Sequence, residues 1–242
     1  MKARGEKIAA LTAYDFAMAR LLDESGVPLL LVGDSLGMVV LGYPDTTRVT
    51  MEEMEHHVRA AARAQPRAVL AADLPFGSVD TPERAVASAR RLVTAGAEAV
   101  KAEGGREILP QLQAIVAAGI PLLGHLGMLP QHVREEGGYH VKGKIKPEHQ
   151  ALLDDADALV QVGAFAVVLE LVTPPVTAEI TRRIPIPTIG IGSGAECDGQ
   201  ILVTTDLLGT SPDYIPRHVK FRGDLGTQAR SVVAEWKRRI ES

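Results

Sequence analysis

The chain has 242 residues, 46% of them hydrophobic and 23% charged, with a formal net charge of -4. This is an ordinary globular mixture at close to the ~250 residues of a (β/α)₈ barrel, and its acidic balance excludes general nucleic-acid binding, which needs a basic face. The single cysteine, Cys197, excludes an internal disulfide and fits a reducing compartment. The charged residues 1–7 lack a signal peptide's apolar stretch, and no apolar run approaches the ~20 residues of a membrane span, so a cytoplasmic location is expected.

Short apolar runs, many β-branched and bounded by Gly or Pro, occur at 8–11, 29–32, 68–72, 99–103, 121–125, 166–170, 188–191 and 201–206. They read as eight buried parallel strands. Helix signals lie between them. Thr50 followed by Met51-Glu52-Glu53 has the capping-box pattern, and Met51, Met54 and Val58 then share one face. Thr81-Pro82 is a cap with proline at the first helical position, starting a helix that runs to about Thr94 and stops at Gly96. Helices over 107–117 and 149–162 end similarly before Gly119 and Gly163. A last amphipathic helix covers about 224–241, with Val232, Val233 and Trp236 on one side. Strand–helix alternation fits a closed barrel or a doubly wound open sheet. Length and strand count favour one (β/α)₈ barrel over residues 1–242.

Gly190, Gly192 and Ala195 match the dinucleotide fingerprint G-x-G-x-x-A. That motif belongs in a strand–turn–helix unit, commonly the first. Here it follows the seventh strand and opens no clear helix. A barrel loop at this place can bind phosphate, and the plainer alternative is a tight turn that needs glycine.

The polar residues gather at strand ends. Asp34 closes the second strand, Asp73 the third, Lys101 and Glu103 the fourth, His125 the fifth and Glu170 the sixth. All strand C-termini of a parallel barrel open on the face that carries the active site. Asp34, Asp73 and Glu103 supply only oxygen ligands, which favour Mg²⁺ over zinc. Lys101 and Glu103 are two residues apart and share a strand face, so the ammonium can hold a substrate carboxylate beside the metal, with Ser35 as a further donor. Such a set suits a 2-oxo acid whose enolate the metal stabilises, with Glu170 free to act as base. His56, His57, His132, His140, His149 and His218 have no metal-ligand spacing and read mostly as surface residues. Asp154, Asp155 and Asp157 read as a solvated helix face.

Nine segments, among them LVGDSLGMVVLGY (31–43), VKAEGG (100–105), GHLGMLPQ (124–131), GGY (137–139) and CDGQILV (197–203), in this order and spacing resemble the 3-methyl-2-oxobutanoate (ketopantoate) hydroxymethyltransferase family. The resemblance runs from about Lys7 to Lys220. It implies a barrel of the phosphoenolpyruvate/pyruvate type and a step of pantothenate synthesis, upstream of coenzyme A. A one-carbon unit would pass from 5,10-methylenetetrahydrofolate to 3-methyl-2-oxobutanoate, giving 2-dehydropantoate and tetrahydrofolate. It implies one Mg²⁺ per subunit on Asp34 and Asp73 with Glu103 joining the metal site, oxo-acid contacts from Asp34, Ser35, Asp73 and Lys101, Glu170 as proton acceptor, and His125 near the hydroxymethyl group. The enolate would attack the folate-borne methylene. It also implies assembly into a large ring, commonly a decamer.

Three places depart from the family pattern: Ser193 replaces alanine, Thr173-Pro174-Pro175 replaces a valine–proline–alanine stretch, and the tail from Arg222 lacks a phenylalanine–proline ending. The nearest rival is a Mg²⁺-dependent lyase or mutase of the phosphoenolpyruvate mutase and isocitrate lyase group. Its isocitrate-type members use a cysteine in a lysine–lysine–cysteine–glycine–histidine loop, whereas Cys197 lies in CDGQ. A non-catalytic protein that kept the fold is the other alternative, and the complete polar set argues against it. Lys142, Lys144 and Lys146 are candidates for folate's acidic tail, or else a solvated loop.

Overall fold

A computed structural model describes residues 1–212, 215–220 and 222–242. Eight strands, β1 (Ile8–Thr12), β2 (Leu29–Val32), β3 (Val69–Asp73), β4 (Ala99–Glu103), β5 (Leu122–Gly127), β6 (Ala166–Glu170), β7 (Thr188–Ile191) and β8 (Gly199–Leu202), form a closed barrel in sequential order. Every neighbouring pair is parallel, including β8 with β1. Helices α1 (Phe16–Glu24), α2 (Leu36–Val39), α3 (Met51–Ala62), α4 (Pro82–Ala95), α5 (Leu109–Ala117), α6 (Lys146–Val162), α7 (Pro174–Arg183) and α8 (Thr204–Leu208) follow the strands, and α9 (Leu225–Glu241) ends the chain. Among the described residues no helix is long and apolar enough to cross a membrane.

The period-2 alternation of each strand separates two cores. Leu29, Leu31, Ala71, Ala99, Leu123, Ala166 and Val168 fill the barrel interior. Leu30, Val32, Leu70, Ala72, Val100, Leu122 and Val167 pack outward against the helices. Interior columns therefore run Ala71–Asp73, Ala99–Lys101–Glu103, Leu123–His125 and Ala166–Val168–Glu170. Each column is apolar below and changes to a charged or ionisable side chain at the open end, so strand parity alone aims these groups into one space.

The expected capping box is present: Glu53 N–H donates to Thr50 Oγ1 at 3.2 Å and Thr50 N–H to Glu53 Oε2 at 2.8 Å. Gly96 ends α4 in the left-handed region. The eighth strand departs from the expected 201–206. It begins at Gly199, where a Cβ would stand 2.3 Å from the carbonyl oxygen of Ile8, a close approach only glycine permits. It ends where Thr204 turns back onto β1, donating its N–H to Thr12 Oγ1 at 3.0 Å and its hydroxyl to Thr12 O at 2.6 Å. Thr204 and Asp206 consequently belong to α8 rather than to a strand. The G-x-G-x-x-A match does not form a nucleotide-type unit either, because Gly190 lies inside β7 and the next element is β8. Asp154 and Asp155 are paired with Arg106, and Asp157 with Arg183, so that helix face is bridged to its neighbours.

Candidate active site

A cavity of about 440 Å³ opens at the C-terminal ends of the strands. Asp34, Ser35, Asp73, Lys101, Glu103, His125 and Glu170 all line it, so every residue expected at the site is brought to one place. Asp34, Asp73, Lys101, Glu103 and His125 are buried. Lys101 Nζ stands 2.8 Å from Asp73 Oδ1 and 3.9 Å from Glu103 Oε1. The first approach is close but poorly aligned, leaving Asp73 Oδ1 in an ion pair without a directed hydrogen bond. The Asp34 N–H donates to Asp73 Oδ2 at 3.0 Å. Ser35 is fixed by the Tyr14 hydroxyl at 2.9 Å.

Gln131, which no motif in the sequence marks as functional, ties these groups together. Its side-chain amide donates to Asp34 Oδ2 at 2.8 Å and to Leu74 O at 2.9 Å, and its backbone N–H to Glu103 Oε2 at 3.0 Å. The only signal in the sequence was its place at the end of GHLGMLPQ, one loop beyond a functional strand. His125 lies between two acids, with Nδ1 3.6 Å from Glu103 Oε1 and Nε2 3.3 Å from Glu170 Oε2. Neither contact is aligned as a hydrogen bond, so among the described residues both buried ring nitrogens have no directed partner.

The electrostatics follow from this crowding. Burial, then the neighbouring Asp73 and Glu103 charges, push the Asp34 carboxyl well above its usual range, against the smaller opposing pull of Lys101 and Gln131. Burial alone would depress Lys101, but the surrounding Asp73, Glu103 and Asp34 reverse that and raise it. Burial and Lys101 likewise oppose charge on His125, yet Glu103 and Glu170 more than compensate and lift it to about 9. Burial would raise Glu103, but His125, Lys101 and the Gln131 N–H hold it below the ordinary carboxylate value.

Do these residues fit a divalent cation? Among the described residues no three His, Cys, Asp or Glu side chains are gathered closely enough to share a metal. Asp34 and Asp73 are adjacent, their donors are all oxygen, and Asp34 is strained toward neutrality by its acidic neighbours. That is a pair short of positive charge, and Mg²⁺ is commonly held by one or two carboxylates with water and substrate oxygens completing the shell. The pair fits such an ion. Glu103 reaches the cavity beside this pair and is engaged by Gln131, His125 and Lys101.

Glu170 is held by the turn after β6. Leu171 adopts a left-handed backbone, φ 48°, a conformation costing a non-glycine residue about 1 kcal/mol or more. It is enforced on several sides: Leu171 N–H donates to Ile191 O at 2.9 Å, and Lys142 N–H donates to Leu171 O at 2.8 Å. Ser193 donates to Leu169 O at 2.7 Å and accepts from Val172 N–H at 3.0 Å. The serine at the family's alanine position is thus a clamp on the segment that aims Glu170. Tyr139, Asp206, Ser211 and His218 also line the cavity. His218, expected at the surface, thus reaches the cavity instead. Lys142 is paired with Glu136 at 2.5 Å.

Known proteins resemble this chain at two levels, fold and family. Solved structures of similar fold include phosphoenolpyruvate phosphomutase from Streptomyces platensis subsp. rosaceus, with a TM-score of 0.67 at 16% identity over 99% of this chain and 87% of that one. Phosphonopyruvate hydrolase, solved with oxalate and Mg²⁺, gives 0.65 at 15% identity over 99% and 83%. At such identities the likeness is one of fold alone. Sequence relatives are more specific. The 3-methyl-2-oxobutanoate hydroxymethyltransferase of Ignicoccus hospitalis is 50% identical over 239 residues, 98% of this chain and 90% of the relative. That of Syntrophus aciditrophicus is 50% identical over 244 residues, 100% of this chain and 90% of the relative. The ketopantoate hydroxymethyltransferase family model matches residues 1–242, and the chain belongs to that family of hydroxymethyltransferases.

Proposed function

We propose that this chain transfers a hydroxymethyl group from 5,10-methylenetetrahydrofolate to 3-methyl-2-oxobutanoate, giving 2-dehydropantoate and tetrahydrofolate on the route to pantothenate and coenzyme A. The observation that carries this reading is the convergence of four interior strand columns on one cavity, where they end in Asp73, Lys101 with Glu103, His125 and Glu170. Asp34 and Asp73 would hold Mg²⁺, one per subunit, with Glu103 joining the metal site through Gln131, which bonds both Glu103 and Asp34. Mg²⁺ bound there supplies Lewis-acid charge to the keto oxygen of the substrate. Lys101 and Ser35 hold the substrate carboxylate.

Glu170 takes the proton from C3, leaving the enolate. The product's C3 bears no hydrogen, so tetrahydrofolate has no elimination route out once the new C–C bond exists. Water therefore adds to the one-carbon unit and the bond from that carbon to the folate nitrogen breaks first. This order replaces direct attack on the folate-borne methylene. C3 then bonds to the freed one-carbon unit, and His125, held charged by its two acids, protonates the new oxygen. The proton on Glu170 returns to His125 across their 3.3 Å contact.

Nuclear magnetic resonance of C3 proton exchange in D₂O tests the first half. Mg²⁺-dependent exchange without folate, and 2-dehydropantoate when the folate donor is added, is the expected result. A protein that gives neither would overturn the reading. The family ring, a decamer, is the assembly we propose, supported by α9, which buries none of its residues and exposes Val232, Val233, Trp236 and Ile240 to between 61% and 69%. A monomeric mass by light scattering would overturn that part.

A further inference from the structure

The oxo acid accounts for only one end of the cavity. A volume of about 440 Å³ lies in the range that receives drug-sized ligands, more than a small oxo acid at Lys101 needs. On the opposite side the wall comes from β7, β8, α8 and the loop beyond it. It presents Ile191, Leu202, Val203, Pro212 and Pro216, all apolar. One buried charge interrupts it. Asp206 lines the cavity at 6% exposure. Its Oδ1 accepts the Ser211 hydroxyl, and among the described residues no cation pairs with it. A carboxylate kept out of water without a counter-charge is costly unless donors are supplied, and among the described residues Ser211 supplies the one side-chain donor. The remaining acceptor capacity faces a slot with apolar walls.

We propose that Asp206 is the residue that recognises the pterin ring of the folate donor. The inference rests on the folate reading above. The 2-amino-4-oxopyrimidine edge of a pterin carries a ring N–H and an exocyclic amino group side by side. This flat donor pair matches the two oxygens of a carboxylate in a bidentate, charge-assisted contact. The flanking aliphatic and proline surfaces suit the faces of a planar heterocycle. The position is also right for the reaction. His218 lies within electrostatic reach of both Asp206 and Glu170, so a ring anchored at Asp206 extends along the Glu170 side of the cavity, where the one-carbon unit is needed. Among the described residues no hydrogen bond or ion pair joins Asp206 to Asp34, Asp73 or Lys101, its side chain bonding Ser211 instead, so it would act only on the donor.

The test is Asp206→Asn, which keeps an acceptor for Ser211 but turns an amide N–H₂ toward the pterin's own donors. Three readouts are compared: C3 exchange of the oxo acid without folate, product formation with formaldehyde as the one-carbon source, and KM for 5,10-methylenetetrahydrofolate. The expected result is a KM for the folate raised about 10- to 100-fold, the loss typical of a charged hydrogen-bond partner, while exchange and the formaldehyde reaction proceed as in the wild type. Ser211→Ala, which loosens the loop but leaves the carboxylate, should raise KM less. Loss of all three activities together in Asp206→Asn, with Ser211→Ala matching it, would mean a structural role and overturn the proposal. An unchanged folate KM in a folate-dependent enzyme would overturn this assignment alone. A wild type that ignores folate yet uses formaldehyde would overturn the folate reading and this inference with it.

Discussion

Two walls face each other across one cavity and are built in opposite ways. The wall formed by the ends of β2 to β5 is a dense set of acids, a lysine and an imidazole, cross-tied by Gln131 and the Asp34–Asp73 contact. The wall formed by β7, β8 and α8 is aliphatic and proline-rich, with the single carboxylate of Asp206. Charge crowding on the first wall shifts nearly every titratable group there, upward for Asp34, Lys101 and His125 and downward for Glu103. A small anion and a divalent cation need such fixed, pre-paired charges, because their own desolvation must be compensated within the site. A planar, mostly apolar ring needs surface and one directional contact. Glu170 stands at the seam, on the strand between the walls, partly exposed at 16% and within 3.3 Å of His125.

Three perturbations sharpen this contrast. The largest effect is expected at the seam. Glu170→Gln should slow Mg²⁺-dependent C3 exchange by ~10²- to 10⁴-fold, the usual contribution of a positioned base, while calorimetry still detects oxo-acid binding. Near-normal exchange would remove Glu170 from the role. Next is the clamp behind it. Ser193→Ala restores the residue typical of the family but deletes the bonds to Leu169 O and Val172 N–H. It should lower unfolding stability in urea by about 1 kcal/mol and reduce exchange without altering metal affinity. Unchanged stability would show that the left-handed Leu171 turn holds without it.

The smallest effect concerns the rim of the first wall. The Arg134 guanidinium, with Thr47 behind it, pulls Asp45 down to about 2. A depressed carboxylate stabilises the fold above its unfolded value near 4, and that contribution fades as the pH falls toward 2. For a pair whose arginine is largely exposed it is worth less than about 1 kcal/mol. Asp45→Asn should therefore lower stability at pH 7 by less than about 1 kcal/mol and flatten the acid limb slightly, the difference from the wild type vanishing as the pH falls toward 2. A larger loss at pH 7 would mean that the bridge shapes the cavity rather than only its rim.

The strands, their inward parity and the polar ends of their columns were legible in the sequence. Apolar runs bounded by Gly or Pro mark buried strands, and period-2 alternation says which residues share a face. Lys101, Glu103, His125 and Glu170 could be placed on one side of the barrel by that counting alone. The eighth strand was misplaced because its run, Ile201 onward, continues in hydrophobicity past the point where Thr204 bonds back to Thr12, a contact no local pattern signals.

What the sequence by itself determined is the barrel, the caps of its helices and the list of charged groups at its mouth, since each depends on neighbours within a few residues. Only the tertiary structure decided how those groups are joined. Gln131 meets Asp34 across 97 residues of chain, Ser193 clamps Leu169 and Val172 from the next strand, and Asp206 and His218 turn from presumed strand and surface into cavity lining. These are contacts of loops and strand ends. Their partners are set by barrel closure, which brings residues distant in sequence to hydrogen-bonding distance and leaves no trace in the local pattern of either partner.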